Sequence, residues 1–154
     1  MSDDFAIESR FTLEERVGRG GSGDVHRGRD RETGALVAVK RLLSKRGDAV
    51  LVDRFRREAR LLAQIDHPHV LKYVAYGVDR EDTPCLVVEW LEGEDVAQRQ
   101  RRQPLTVAEA LDVAHQAATG LHALHDAGIV HRDVKPSNLY LVARGDEKIH
   151  LKVI

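Results

Sequence analysis

The sequence predicts an α+β fold, a five-stranded antiparallel sheet with one inserted helix followed by a mainly helical region. Three observations carry the prediction. Short alternating apolar runs, separated by turns rich in Gly and Asp, occupy the first 90 residues. Residues 50–65 interrupt them with a helical period, Phe55, Ala59 and Leu62 on one face and arginines opposite. A second helical run, residues 107–125, leads into a proline-containing polar stretch and two short strands.

The elements follow in order. Residues 1–10 are expected to be a leader. Phe11, Leu13 and Val17 alternate with polar residues and predict a first strand. Gly18-Arg19-Gly20-Gly21-Ser22-Gly23 turns it into a second strand, and Asp30-Arg31-Glu32-Thr33-Gly34 leads into a third, residues 35–42. His67-Pro68 ends the first helix. Strands are expected over 70–76 and 86–90, with a turn at 79–83. Thr106-x-x-Glu109 is a capping box for the helix at 107–125, and Gly128 is its stop. That helix carries an apolar stripe of Val107, Ala110, Leu111, Ala114, Ala117, Ala118, Leu121 and Leu124. Strands over 139–142 and 148–154 are expected to flank a turn at Arg144-Gly145-Asp146.

Composition narrows the function classes. The chain has 154 residues, 24 basic and 25 acidic, with a formal net charge of −1. That balance gives no general pull toward nucleic acid or an anionic membrane. The arginines at 54, 56, 57 and 60, and at 99, 101 and 102, read as solvated helix faces. The single cysteine, Cys85, sits in an apolar run and reads as a small buried side chain. No apolar stretch approaches the ~20 residues of a membrane span, and no signal pattern opens the chain. The expected location is cytoplasmic.

Gly18-x-Gly20-x-x-Gly23 opens a strand rather than a helix, which disfavours a dinucleotide-binding turn. It reads either as a plain glycine hairpin or as a cover whose bare backbone approaches phosphate oxygens, with Ser22 adding a hydroxyl. In Val37-Ala38-Val39-Lys40, alternation sends Ala38 and Lys40 to one face, which leaves room for a flat base beside a cation. Glu58 borders the buried face of its helix. Arg54 at i−4 and Lys40 are both candidate partners, and the order of elements favours Lys40.

The specific motif is His131-Arg132-Asp133-Val134-Lys135-Pro136-Ser137-Asn138. Its proline keeps the segment from being helical, so a carboxylate, an amine and a carboxamide can be aimed at one point. Asp133 is suited to accept a hydroxyl proton, Lys135 to neutralise a transferred phosphoryl group, and Asn138 to hold a metal through its amide oxygen.

Taken in order, residues 18–25, Lys40, Glu58, His67-Pro68-His69-Val70, residues 89–93 and residues 131–138 resemble the eukaryotic-like protein kinase family in its bacterial serine/threonine form. Lys135-Pro136 is the serine/threonine pattern, and the resemblance covers residues 11–154. It implies a protein-kinase-like fold. Residues 11–91 would be the N-lobe, with a five-stranded antiparallel sheet and the αC helix, and 92–154 the start of a mainly helical C-lobe. The implied cofactors are ATP and Mg²⁺, and the implied acceptor is a protein serine or threonine hydroxyl. Asp133, Lys135, Lys40 and Glu58 would be catalytic. Val17, Val25 and Ala38 would roof the adenine, with Tyr140 beneath it and Val88 as gatekeeper. Gly18, Gly20, Gly21, Ser22 and Gly23 would cover the phosphates. Glu89 and Leu91 would give hinge contacts, Asp95 a ribose contact, and Asn138 a metal contact. Leu62, Tyr73 and His131 would belong to the internal spine.

Lys152-Val153-Ile154 resembles the strand that leads into the family's Asp-Phe-Gly. The expectation is therefore a truncated fragment, inactive by itself, because Mg²⁺ is normally held through one or two carboxylates besides an amide oxygen. Part of the apolar stripe at 107–125 is expected to be exposed. The alternative is a naturally truncated pseudokinase that binds a nucleotide or a partner. A small-molecule phosphotransferase is disfavoured by Lys135-Pro136-Ser137.

Overall fold

Strand β4 (Leu36–Leu42) shows why the first sheet forms where it does. Its β-branched Val37 and Val39 are buried on one face, and Ala38 and Lys40 stand half-exposed on the other. The computed structural model describes residues 5–20, 23–42, 48–143 and 149–154. They form two compact units, Met1–Ala63 with Tyr73–Trp90, and Gln64–Lys72 with Leu91–Ile154.

In the first unit β2 (Phe11–Gly20), β3 (Gly23–Asp30), β4, β6 (Pro84–Glu89) and β5 (Tyr73–Val78) lie side by side, each pair antiparallel. This is the five-stranded sheet expected from the sequence. A two-residue strand, β1 (Phe5–Ala6), adds parallel to β5, and α1 (Ile7–Arg10) follows it. Residues 5–10, expected to belong to a leader, form these two short elements. Ile7 and Phe11 are fully buried with Val37, Val39, Ala75, Cys85 and Val87, and close this face of the sheet. Burial pushes the Cys85 thiol up to about 12, so it behaves as a small apolar side chain. Helix α2 (Ala49–Leu62) buries Phe55 and Ala59, and the Asp48 side chain caps it by accepting from Leu51 N–H.

In the second unit β7 (Gly93–Asp95), β8 (Leu139–Val142) and β9 (Leu151–Val153) form a small antiparallel sheet. Helix α3 (Val96–Arg102) starts on a capping box made by Asp95 and Gln98. Helix α4 (Val107–Asp126) starts on the predicted Thr106–Glu109 box and packs on β9. Its apolar residues divide into two lines. Val113, Ala117, Gly120 and Leu124 are buried, whereas Val107, Ala110, Leu111, Ala114 and Ala118 are exposed. The single predicted stripe corresponds to neither line alone, because the i, i+4, i+7, i+11 row that includes Gly120 is the one that lets the helix approach β9 closely. The predicted turn at Arg144-Gly145-Asp146 lies outside the described residues, as does Lys148. No described helix is long and apolar enough to cross a membrane.

Candidate active site

The segment leaving α4 is built so that three polar side chains meet. Arg132 has φ of 64°, a left-handed conformation that costs a non-glycine residue roughly 1–2 kcal/mol. Flanking bonds hold it. The Asp133 N–H donates to His131 Nδ1 at 3.3 Å, and His131 Nε2 donates to the Ile154 carbonyl at 2.9 Å, which together require the tautomer protonated on Nε2. Pro136 then opens a 3₁₀ turn, Pro136–Asn138, closed by Asn138 N–H on the Lys135 carbonyl at 2.9 Å.

Within this frame Lys135 Nζ donates to Asp133 Oδ2 at 2.7 Å, and Asn138 Nδ2 donates to the same oxygen at 2.9 Å and to the Asp133 carbonyl at 2.8 Å. The Lys135 hydrogen bond, then that from Asn138, hold the Asp133 carboxyl below its ordinary range. Asp133 and Lys135 side chains remain 61% and 50% exposed, open to an incoming group. Among the described residues nothing bonds to Asp133 Oδ1 or Asn138 Oδ1. One carboxylate oxygen is fixed and the other is open.

In the first unit, the ladder gathers several of the other predicted residues on one face of the sheet. Val25 is opposite both Gly18 and Lys40, and Ala38 is opposite Val88. Directly opposed residues of an antiparallel pair share a face, so Gly18, Val25, Ala38, Lys40 and Val88 line one side. Val17 falls in a register irregularity of β2 and is 46% exposed. The glycines have different reasons to be glycines. A Cβ on Gly23 would lie 2.2 Å from the Arg41 carbonyl, so sheet packing alone requires its bareness. A Cβ on Gly18 would meet only Val25 Cβ at 3.9 Å. Nothing in the packing demands Gly18, which suits a backbone kept clear for a ligand. Gly20 pairs with Gly23 at the end of the hairpin, and Gly21 and Ser22 lie outside the described residues.

The chain matches the protein kinase domain family over residues 11–154. The chain belongs to the protein kinase family. It is 38% identical to serine/threonine-protein kinase pkn2 of Myxococcus xanthus, over 94% of this chain and 18% of that protein. Similarity to serine/threonine-protein kinase PknA of Mycobacterium tuberculosis is 36% identity over 93% of this chain and 35% of that protein. With serine/threonine-protein kinase A of Synechocystis it shares 35% identity, over 88% of this chain and 28% of that protein. The chain therefore spans about a fifth to a third of the length of these relatives.

The kinase chain departs from the expected pattern at Lys40 and Glu58. Glu58 is exposed and no ion pair joins it to Lys40. Lys40 Nζ instead lies 5.8 Å from the centre of the Phe55 ring. The reason is the rotation of α2, which buries Phe55 and Ala59 and leaves Glu58 about 100° of helix turn from Ala59. Glu89 ends β6 opposite Val37, half-exposed, and the Leu91 N–H has no hydrogen-bond partner among the described residues. Asp95 spends Oδ1 on the N–H of Gln98, at 2.7 Å, as the cap of α3. Tyr140, half-buried, sends its hydroxyl to the Gly93 carbonyl at 2.8 Å, with the Leu91 carbonyl at 3.4 Å. Sequence reading missed α3, although Asp95-x-x-Gln98 has capping-box spacing and was the available signal.

For a divalent cation, the amide Oδ1 of Asn138 fits as one hard oxygen ligand. No cluster of three or more His, Cys, Asp or Glu side chains able to hold a metal occurs among the described residues.

Proposed function

We propose that this chain carries the nucleotide-binding residues and the catalytic loop of a serine/threonine protein kinase that uses Mg²⁺–ATP. The observation that carries the reading is the Asp133–Lys135–Asn138 network, in which one carboxylate oxygen is pinned and the other left open. ATP with Mg²⁺ supplies the phosphoryl group and the charge neutralisation it needs. The protein's own part is positioning. Asp133 Oδ1 accepts the hydrogen bond of a serine or threonine hydroxyl and takes its proton as the oxygen–phosphorus bond forms and the bond to the ADP oxygen breaks. Its depressed pKa keeps it ionised at neutral pH, and the loose transition state asks little basicity of it. Lys135 lies 2.7 Å from this carboxylate and adds positive charge where the phosphoryl group passes.

In the first unit, Lys40 would pair with nucleotide phosphates, while Val17, Val25 and Ala38 offer apolar cover for the base. Gly18, Gly20, Gly21, Ser22 and Gly23 would lie over the phosphates. Glu89 would offer its backbone to the adenine edge. In the second unit, Leu91 would offer backbone groups to a base, Asp95 a carboxylate to a ribose, and Tyr140 its ring to a base. Glu58 would steady Lys40 in the transfer-competent arrangement, which requires α2 to turn from its present rotation. Asn138 would hold the metal. The acceptor would be a protein, and the location cytoplasmic, where ATP is available.

The 154 residues by themselves are proposed to bind nucleotide without transferring phosphoryl, since Asn138, the one metal contact proposed among the described residues, makes a poor Mg²⁺ site without a carboxylate. Retention of the whole Asp133 network favours a working kinase over a pseudokinase. Incubating the full-length protein with γ-labelled ATP, Mg²⁺ and protein acceptors tests the assignment. Label on phosphoserine and phosphothreonine is expected. Label confined to phosphotyrosine or to small alcohols would contradict it.

A further inference from the structure

We propose that Tyr140 is a positioning residue whose hydroxyl latches the segment after Leu91, fixing the main chain that meets the nucleotide base. The inference rests on the nucleotide reading given under Proposed function. Residues 90–92 belong to no strand, and Glu92 and Gly93 are exposed, so this link has little packing of its own to hold it. Three ties fasten Glu92 and Gly93 to β8 and its end. The Ala143 N–H donates to the Glu92 carbonyl at 2.8 Å. Gly93 presses its Cα onto β8 so closely that a Cβ would lie 2.0 Å from the Leu141 carbonyl, with φ of 141°. The third tie is Tyr140.

Tyr140 is directly opposite Asp95 in the β7–β8 ladder, and its hydroxyl reaches diagonally to the residue two positions earlier, Gly93. A diagonal neighbour on the same face is within reach of a long aromatic side chain. The single hydroxyl proton is committed to the 2.8 Å contact with Gly93, and the Leu91 carbonyl at 3.4 Å flanks it. The Leu91 N–H is left without a partner among the described residues, in a segment that Tyr140 has immobilised. A ligand that accepts from this N–H then meets a donor whose ordering entropy is already spent. A leucine or phenylalanine at position 140 would offer a comparable apolar surface without the latch.

The test uses the full-length protein and ADP with Mg²⁺, followed by titration calorimetry. Tyr140→Phe keeps the ring and removes only the hydroxyl. It is expected to weaken ADP binding about threefold to tenfold, the worth of one hydrogen bond. KM for ATP should rise with kcat unchanged, and amide exchange at residues 93–95 should quicken. Tyr140→Leu, which also lacks the hydroxyl, should bind no more tightly than Tyr140→Phe. If the wild type binds ADP and Tyr140→Phe binds it equally well, the latch is refuted while the nucleotide reading stands, even if thermal stability falls. If the wild type binds no adenine nucleotide, both are refuted.

Discussion

Arg10 grips Asp30 with a two-nitrogen fork: Nη2 donates to Oδ2 at 2.7 Å and Nε to Oδ1 at 3.1 Å. Asp30 is only 2% exposed, and its Oδ1 also accepts the Glu32 N–H at 3.0 Å. The Arg31 N–H donates back to the Arg10 carbonyl at 2.9 Å, so residues 5–10 are fastened to the end of β3. The Arg10 hydrogen bond holds the Asp30 carboxyl well below the usual carboxylate range. A depressed folded-state pKa means stability that is present above the unfolded value, about 3.9, and lost as pH falls through the folded one. Asp30→Asn should therefore lower the thermal midpoint at pH 7 and reduce the loss of stability on acidification. Ile7→Ala, which empties a fully buried site in the core of this unit, should cost about 2–5 kcal/mol in denaturant titrations.

A second acid response comes from three neighbouring imidazoles, tilted against one another. His67 and His69 ring centres are 5.7 Å apart, and those of His69 and His150 are 5.2 Å apart. His69 Nδ1 contacts the Leu151 carbonyl at 2.9 Å, and the buried Lys152 places Nζ on the Val70 carbonyl at 3.1 Å. Burial first, then His69 and Lys152, push the His67 pKa down. The unfolded chain takes the proton more readily, so stability is full above about pH 6.5 and declines as pH falls below it. The thermal midpoint should drop between about pH 7 and 5, and His67→Gln should flatten that dependence. An unchanged slope in the variant would place the response elsewhere.

Gly120 lets α4 touch the segment around His69. A Cβ there would lie 2.5 Å from the His69 carbonyl and 3.2 Å from Val153 Cγ2. The carbonyl cannot move freely, because it accepts the Val153 N–H at 2.9 Å. Helix propensity alone would favour alanine by about 1 kcal/mol, but overpacking costs roughly 1–3 kcal/mol and is expected to win. Gly120→Ala should lower the denaturant midpoint. A stabilised variant would show that the contact is loose.

The strands and the catalytic loop were legible because their information is local. Alternation in Val37-Ala38-Val39-Lys40 fixes faces, and His131-Arg132-Asp133 with Lys135 and Asn138 fixes a loop at short spacing. The elements that escaped are set by tertiary contact. β1 and α1 are too short for any period, and their evidence is the meeting of Arg10 with Asp30, twenty positions away. The placement of Lys40 over Phe55 rather than beside Glu58 depends on the rotation of α2, which apolar spacing leaves open within tens of degrees. The Tyr140–Gly93 bond crosses two strands, one of which, β7, is only three residues long.

The central claim is that Asp133, held by Lys135 and Asn138, orients a hydroxyl for phosphoryl transfer. Asp133→Asn keeps the shape of the side chain and removes its charge. In the full-length protein, kcat for labelled-phosphate transfer to a protein acceptor and Kd for ATP by titration calorimetry should be measured together. The predicted result is a loss of kcat by at least about 100-fold with ATP affinity essentially retained. Wild-type turnover in Asp133→Asn would contradict the account.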